Sequence, residues 1–185
     1  MKIEKTAIDG LCIIEPARFG DDRGWFSETW HQAKLTAAGL EMAFVQDNHS
    51  FSATKGTLRG LHYQCPPHAQ AKLVRCTRGA ILDVAVDVRK GSPTYGRWVT
   101  VELTAANGRQ LLVPVGFLHG FVTLKDDTEV QYKCSDYYAP DCDRAIRWDS
   151  LGIDWGADNP IISAKDANAV PFAQFESPFT YGEPA

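Results

Sequence analysis

Apolar and polar residues alternate in short runs along most of this chain, and turn formers separate the runs. A period of two belongs to strands with one packed face and one polar face. It predicts strands over Leu11–Glu15, Phe44–Ser50, Leu58–Gln64, Lys72–Thr77 and Ile81–Val88. Trp98–Leu103, Arg109–Val113, Phe117–Leu124 and Thr128–Ser135 continue the series. In Asp83-Val-Ala-Val-Asp-Val88 the valines share one face and the aspartates the other, so one side is packed and one polar. Asn107-Gly108 between two of these runs is a strong hairpin signal. Helical periodicity is scarce. Ser27–Gly39 is the best segment, with Ser27 as cap, Glu28 in the first turn and Gly39 as terminator. Ser163–Asn168 reads as one short serine-capped turn, and beyond about Ile153 the chain is Pro-rich and irregular, as for a segment draped over a barrel.

Many short strands with few helices imply a mostly β domain spanning residues 1–185, built as a cupin-type jelly-roll barrel or sandwich. Apolar strands near the chain ends leave edges to cover, so strand sharing in a homodimer is expected. The length of 185 residues is enough for one core without disulfides or metals. A net charge of −4 argues against nucleic acid or an anionic membrane as partner. No apolar run approaches the roughly 18 residues of a membrane span, and MKIEKTAIDG lacks a signal-peptide core. The five cysteines, 12, 65, 76, 134 and 142, are odd in number and contain no Cys-x-x-Cys. They read as reduced thiols of a cytoplasmic protein, with Cys76 and Cys134 as packing residues.

The chemistry concentrates in Arg59-Gly-Leu-His62-Tyr-Gln and the lysine that follows at 72. Arginine binds phosphate bidentately, histidine exchanges protons near neutral pH, and lysine can meet a nascent oxyanion. On these residues alone, a solvated strand face with one hydrogen-bonded histidine is the commoner meaning. Strand parity adds a condition: Arg59 and His62 fall on opposite faces unless Gly60 sits at a bulge.

A metal site is the alternative use of histidines in such a barrel. Pro114-Val-Gly-Phe-Leu-His119 supplies one and His62 another, but Gln64 stands where a second histidine of the first strand would be, and His68 lies beyond Pro66-Pro67. That falls short of three protein ligands, so a metal-free cavity is expected. Asp21-Asp-Arg23-Gly-Trp-Phe-Ser-Glu28 reads as a charged turn entering the helix. Gln46 and Asn48 share one strand face. Tyr132 lies mid-strand and is usable as an acid. Tyr138 offers an aromatic surface for stacking on a base, and Ser163-Ala-Lys165-Asp166 is a polar motif whose carboxylate matters only if it reaches a histidine.

Together these segments closely resemble the dTDP-4-dehydrorhamnose 3,5-epimerase family, from about Ile3 to about Asn168. The resemblance is carried by Asp22-Arg-Gly-Trp-Phe26 with Glu28, Gln46-Asp-Asn-His-Ser50, Leu58-Arg-Gly-Leu-His-Tyr63 and Ala71-Lys-Leu-Val74. It continues through Asp83-Val-Ala-Val-Asp-Val-Arg89, Gly91-Ser-Pro-Thr-Tyr-Gly96, Pro114 to Phe121, Tyr132-Lys with Tyr138-Ala-Pro140, Gly152-Ile-Asp-Trp155 and Ser163-Ala-Lys-Asp166. It implies a metal-free, cofactor-independent epimerase that inverts the carbons on either side of the keto group of dTDP-4-dehydro-6-deoxy-D-glucose. Carried over by position, His62 is the base, Asp166 its hydrogen-bond partner, Lys72 the enolate stabiliser and Tyr132 the acid on the opposite face. Arg23 and Arg59 match pyrophosphate-binding positions, and Tyr138 matches the residue that stacks on thymine. Glu28, Gln46, Asn48, His119 and Lys165 match other ligand-contacting positions, and in this family the partner subunit supplies part of the site. Asp143 stands where the family commonly has a glutamate.

Three other readings remain. A relative inverting one carbon would keep the same His, Lys and Tyr. A non-catalytic nucleotide-sugar-binding cupin would not need a base and an acid together. A metal-dependent cupin oxygenase is the weakest.

Overall fold

A computed structural model describes residues 1–183 of the chain. Its strands are β1 Lys2–Lys5, β2 Cys12–Glu15, β3 Arg18–Asp21, β4 Gly24–Ser27, β5 Gln46–Ser52, β6 Leu58–Gln64 and β7 Lys72–Arg78. After them come β8 Ala80–Asp87, β9 Trp98–Thr104, β10 Gln110–Val113, β11 Phe117–Thr123, β12 Thr128–Cys134 and β13 Asp143–Ala145. Two short helices, α1 Gln32–Ala37 and α2 Ala164–Ala167, complete the regular structure with single 3-10 turns at Pro140–Cys142 and Phe172–Gln174.

The strands form an antiparallel double sheet, the jelly-roll arrangement that the alternation predicts. One sheet runs β1-β2-β10-β7-β12-β5 and the other β13-β6-β11-β8-β9. Leu11, Val74, Leu111 and Val130 meet Ile81, Ala85, Leu103, Phe117 and Phe121 in the apolar core shared by the two sheets. The valine face of β8, Val84 and Val86, packs with Leu58, Leu61 and Leu118 against Ile153, Trp155 and Phe179 of the irregular C-terminal segment. That segment follows the barrel through parallel bridges at Ile161 to Thr57, Val170 to Ile146 and Thr180 to Lys90. On the other sheet, Leu35 of α1 covers Cys12, Ile14, Leu73 and Leu112.

Several local expectations change. The helix begins at Gln32 rather than at Ser27, and the His31 side chain accepts from the Lys34 N–H in place of a serine cap. Ser27 instead ends β4, where its hydroxyl donates to the Ala17 carbonyl. The segment around Arg23 is therefore a β-hairpin, β3 with β4, and not a turn into a helix. Asn107-Gly108 does make a turn, with Asn107 Oδ1 accepting from the Thr104 and Arg109 N–H groups. It carries the chain from one sheet to the other, since β9 pairs with β8 and β10 with β2 and β7. The polar face of β8 is not at the surface: Asp83 and Asp87 are both fully buried. Burial alone would raise the Asp87 carboxyl, but hydrogen bonds from Arg89, Ser92 and Thr94 hold it down at about 2. All five cysteines are free. Among the described residues no helix is long and apolar enough to cross a membrane.

Candidate active site

A cavity of about 440 Å³ is lined from both sheets. Arg59 and His62 of β6 and His119 and Phe121 of β11 come from one; Lys72 of β7 and Tyr132 of β12 come from the other. Lys165 and Asp166 of α2 also line it.

The parity condition on Arg59 and His62 is met by a register slip. His119 pairs with His62, but Phe121 pairs with Arg59, so the β6–β11 ladder shifts by one residue at Gly60. Gly60 has φ of +141°, and a Cβ built on it would lie 2.6 Å from Gly120 Cα. Only glycine takes that backbone conformation readily and lets two strands approach so closely. Leu58 and Leu61 therefore both turn into the core, and the arginine and histidine share the cavity.

His62 Nε2 lies 2.6 Å from Asp166 Oδ1. The carboxylate is fixed by its surroundings: Ser163 Oγ accepts from the Asp166 N–H to cap α2, and the Gly60 N–H reaches Asp166 Oδ2 at 3.5 Å. Burial would raise the Asp166 carboxyl, yet the hydrogen bond and charge of His62, with the Gly60 and Ser163 bonds, bring it below the usual aspartate range. An ionised carboxylate accepts only, so Nε2 carries the proton and Nδ1 the lone pair of a neutral ring.

Opposite, Tyr132 sits between Asn48 of β5 and Val74 of β7 in the ladder. Burial pushes its phenol up, opposed by the Arg59 charge and Asn48, so it holds its proton at neutral pH. Burial also pushes the Lys72 ammonium down, against the effect of Cys134 and the carboxylates of Asp143 and Asp83. Its Nζ lies 5.9 Å from the Tyr132 ring centre.

Beside the cavity lies a polar network. Tyr138, 57% exposed, donates its N–H to Gln46 Oε1 and its hydroxyl to Asp143 Oδ2. Lys165 pairs with the same carboxylate, and Gln46 Nε2 donates to Asn48 Oδ1. Asn48 and Tyr132 also border a smaller cavity of about 290 Å³. The chain thus gathers Gln46, Asn48, Tyr138, Asp143 and Lys165 at one end of the site.

Arg23 and Glu28 do not join them. Arg23 lies at the tip of the β3–β4 hairpin with an 89% exposed side chain paired with Asp21, and Glu28 pairs with Lys34 at 2.6 Å. Neither lines the cavity of this chain.

Asp83 is the site residue that sequence reasoning missed. Its Oδ1 is 2.8 Å from His119 Nε2, both groups are buried, and its Oδ2 has no hydrogen-bond partner among the described residues. The signal was present in the alternation of β8, but alternation alone does not say which face is the interior. Among the described residues no group of three or more His, Cys, Asp and Glu is placed to hold a metal ion. His62 and His119 are each turned to a carboxylate of their own.

A jelly-roll barrel with a carboxylate-held histidine on one wall and a protonated tyrosine on the other offers the groups that an acid–base isomerase requires. The chain belongs to the dTDP-4-dehydrorhamnose 3,5-epimerase family, whose model matches residues 5–174. It is 51% identical over 175 residues to a dTDP-4-dehydrorhamnose 3,5-epimerase of Shigella flexneri, covering 93% of this chain and 96% of the relative. The dTDP-6-deoxy-D-glucose-3,5-epimerase of Legionella pneumophila, solved in complex with dTDP-4-keto-L-rhamnose, superposes with a TM-score of 0.90 at 44% identity over 95% of this chain and 94% of its own. A 3'-monoepimerase of Streptomyces bikiniensis in complex with dTDP-quinovose is similar at a TM-score of 0.84, 38% identity and coverage of 91% and 86%.

Proposed function

We propose that His62, Lys72, Tyr132 and Asp166 carry the epimerisation of dTDP-4-dehydro-6-deoxy-D-glucose at C3 and C5 to dTDP-4-dehydro-L-rhamnose. The observation that supports these roles best is the position of His62 and Tyr132 on opposite sheets around one cavity. Inversion needs a proton removed from one face of a carbon and returned to the other.

The 4-keto group acidifies both neighbouring carbons, so no cofactor is needed to make either proton removable. His62 takes the proton, and Asp166 stabilises the imidazolium that results. Charge moves onto the ketone oxygen as the enolate forms. The Lys72 ammonium meets it in a partly buried setting, where such an interaction is stronger than in water. Tyr132 then protonates the carbon from the opposite face. Each acid–base group contributes roughly 10²–10⁴-fold. Arg59 suits the pyrophosphate, Tyr138 the thymine face, and Gln46, Asn48, His119, Asp143 and Lys165 the remaining polar groups of the ligand.

Arg23 and Glu28 act in a homodimer, on the partner's substrate. Phe19 and Phe26 on the same hairpin are 66% and 69% exposed, an apolar surface that supports insertion into a second copy. Five free thiols and a nucleotide-sugar substrate agree with a cytoplasmic setting.

Incubation with dTDP-4-dehydro-6-deoxyglucose in D₂O, with chelator present, tests the reading. Proton NMR is expected to show deuterium entering at both C3 and C5. Entry at one carbon alone would select the single-carbon epimerase, to which the Streptomyces bikiniensis likeness also points. No exchange at either carbon would overturn the enzyme reading.

A further inference from the structure

Cys65 and Cys142 take no part in the acid–base chemistry, yet they face each other across β6 and β13. The ladder sets Ala145 opposite His62 and Asp143 opposite Gln64, so its next rung sets Cys142 opposite Cys65. Leu61 and Ile146 exchange both backbone hydrogen bonds. Four residues along, at the end of the ladder, one bond of such a pair recurs between Cys65 and Cys142, while the Cys142 N–H turns back to the Ala139 carbonyl. The Cys65 N–H accordingly donates to the Cys142 carbonyl at 2.9 Å. Residues so paired hold their Cα atoms about 5.5 Å apart, within the roughly 4.4–6.8 Å that a disulfide spans. Cys142 is 8% exposed and Cys65 half-buried, whereas Cys12, Cys76 and Cys134 are buried elsewhere in the strands.

We propose that Cys65 and Cys142 form a reversible disulfide site, closed by a peroxide and opened by thiols, that fastens the Pro140–Cys142 turn to the end of β6. Cys65, the more accessible sulfur, attacks one oxygen of hydrogen peroxide. The O–O bond breaks, a sulfenic acid forms, and the displaced oxygen leaves as water with the thiol proton. The Cys142 thiolate then attacks the Cys65 sulfur. The S–O bond breaks, the S–S bond forms, and the hydroxyl leaves as a second water with the Cys142 proton. Two sulfurs are oxidised and the two peroxide oxygens reduced, so the step balances. Burial and the facing thiol hold Cys142 above the ordinary thiol range, so Cys65 is the sulfur that meets the oxidant. The staple falls one residue before Asp143, the carboxylate that takes Lys165 and the Tyr138 hydroxyl.

Peroxide treatment of the native protein, followed by alkylation and peptide mass spectrometry, tests the site. The expected result is the loss of two of five alkylatable thiols and one cross-linked pair containing Cys65 and Cys142, restored by dithiothreitol. Closing so long a loop is expected to raise Tm by about 5–10 °C. In Cys142→Ser, Cys65 is expected to stop at a sulfenic acid that dimedone traps, with no cross-link. Five alkylatable thiols after treatment, a cross-link through Cys12, Cys76 or Cys134, or a wild-type Cys65 oxidised while Cys142 stays free would each overturn the proposal.

Discussion

His62 Nε2 and Asp166 Oδ1 stand 2.6 Å apart although 103 residues separate them along the chain. The contact requires the C-terminal segment to follow the barrel and the Ser163 cap to aim the carboxylate at β6. Asp166→Asn keeps the shape but replaces the acceptor that selects the ring tautomer. A fall in kcat of about 10²–10³-fold is expected, with an unchanged circular dichroism spectrum.

The same pair sets an acid dependence of stability. Asp166 sits below the ordinary aspartate value in the folded protein, so the unfolded chain binds the proton more readily and stability rises with pH through this window. Its contribution is present above the unfolded pKa of about 3.9 and is lost as pH falls through the folded value. Urea unfolding of wild type and Asp166→Asn is expected to differ at pH 7, and the difference to shrink as pH falls below the unfolded value.

Lys72 works in the opposite sense. Burial lowers its ammonium, so its charge is present at low pH and disappears as pH rises through a value below the ordinary lysine pKa. The kcat/KM profile is expected to carry an alkaline limb there, and Lys72→Arg should move the limb to higher pH. Tyr132 cannot cause it, because its phenol is raised, not lowered.

Gly60 is expected to tolerate no side chain. A Cβ there would meet Gly120 Cα at 2.6 Å and Gly60 holds φ of +141°, so backbone and not a flexible side chain must yield. Gly60→Ala should cost about 3 kcal/mol or more in denaturant unfolding. Its residual folded fraction should lose activity, because the register slip at Gly60 lets Arg59 and His62 share the cavity.

The hairpin around Arg23 is accountable to a separate test. Phe26→Asp places a charge on a 69% exposed aromatic, which leaves the fold of one chain unharmed. For the proposed homodimer, sedimentation is expected to show a shift from dimer to monomer, with kcat/KM reduced about 10²-fold as the contribution proposed for Arg23 and Glu28 is lost.

Much of the barrel was legible because its long strands, from Leu58–Gln64 to Thr128–Cys134, are short apolar-rich runs between turn formers, although Phe117–Thr123 is buried on both faces. The short elements β1, β3, β4 and β13 carry too few alternations to register, and β3 and β4 expose both faces. Ser27 looked like a helix cap because its type and spacing suit one, while the pairing of Arg18 with Ser27 decides otherwise. Asn107-Gly108 marked a turn correctly, but turn chemistry does not reveal whether the next strand joins the same sheet. The cavity wall was legible in Arg59, His62, Lys72 and Tyr132. Asp83 was not, since a buried carboxylate and a solvated one look alike in an alternating strand.

Deuterium exchange in the two facing variants tests the central claim most directly. With His62→Ala, exchange at both C3 and C5 is expected to vanish. With Tyr132→Phe, deuterium should still enter while inversion lags behind it. Near-normal exchange in His62→Ala, or complete inversion in Tyr132→Phe, would contradict the placement of base and acid on opposite walls of the cavity.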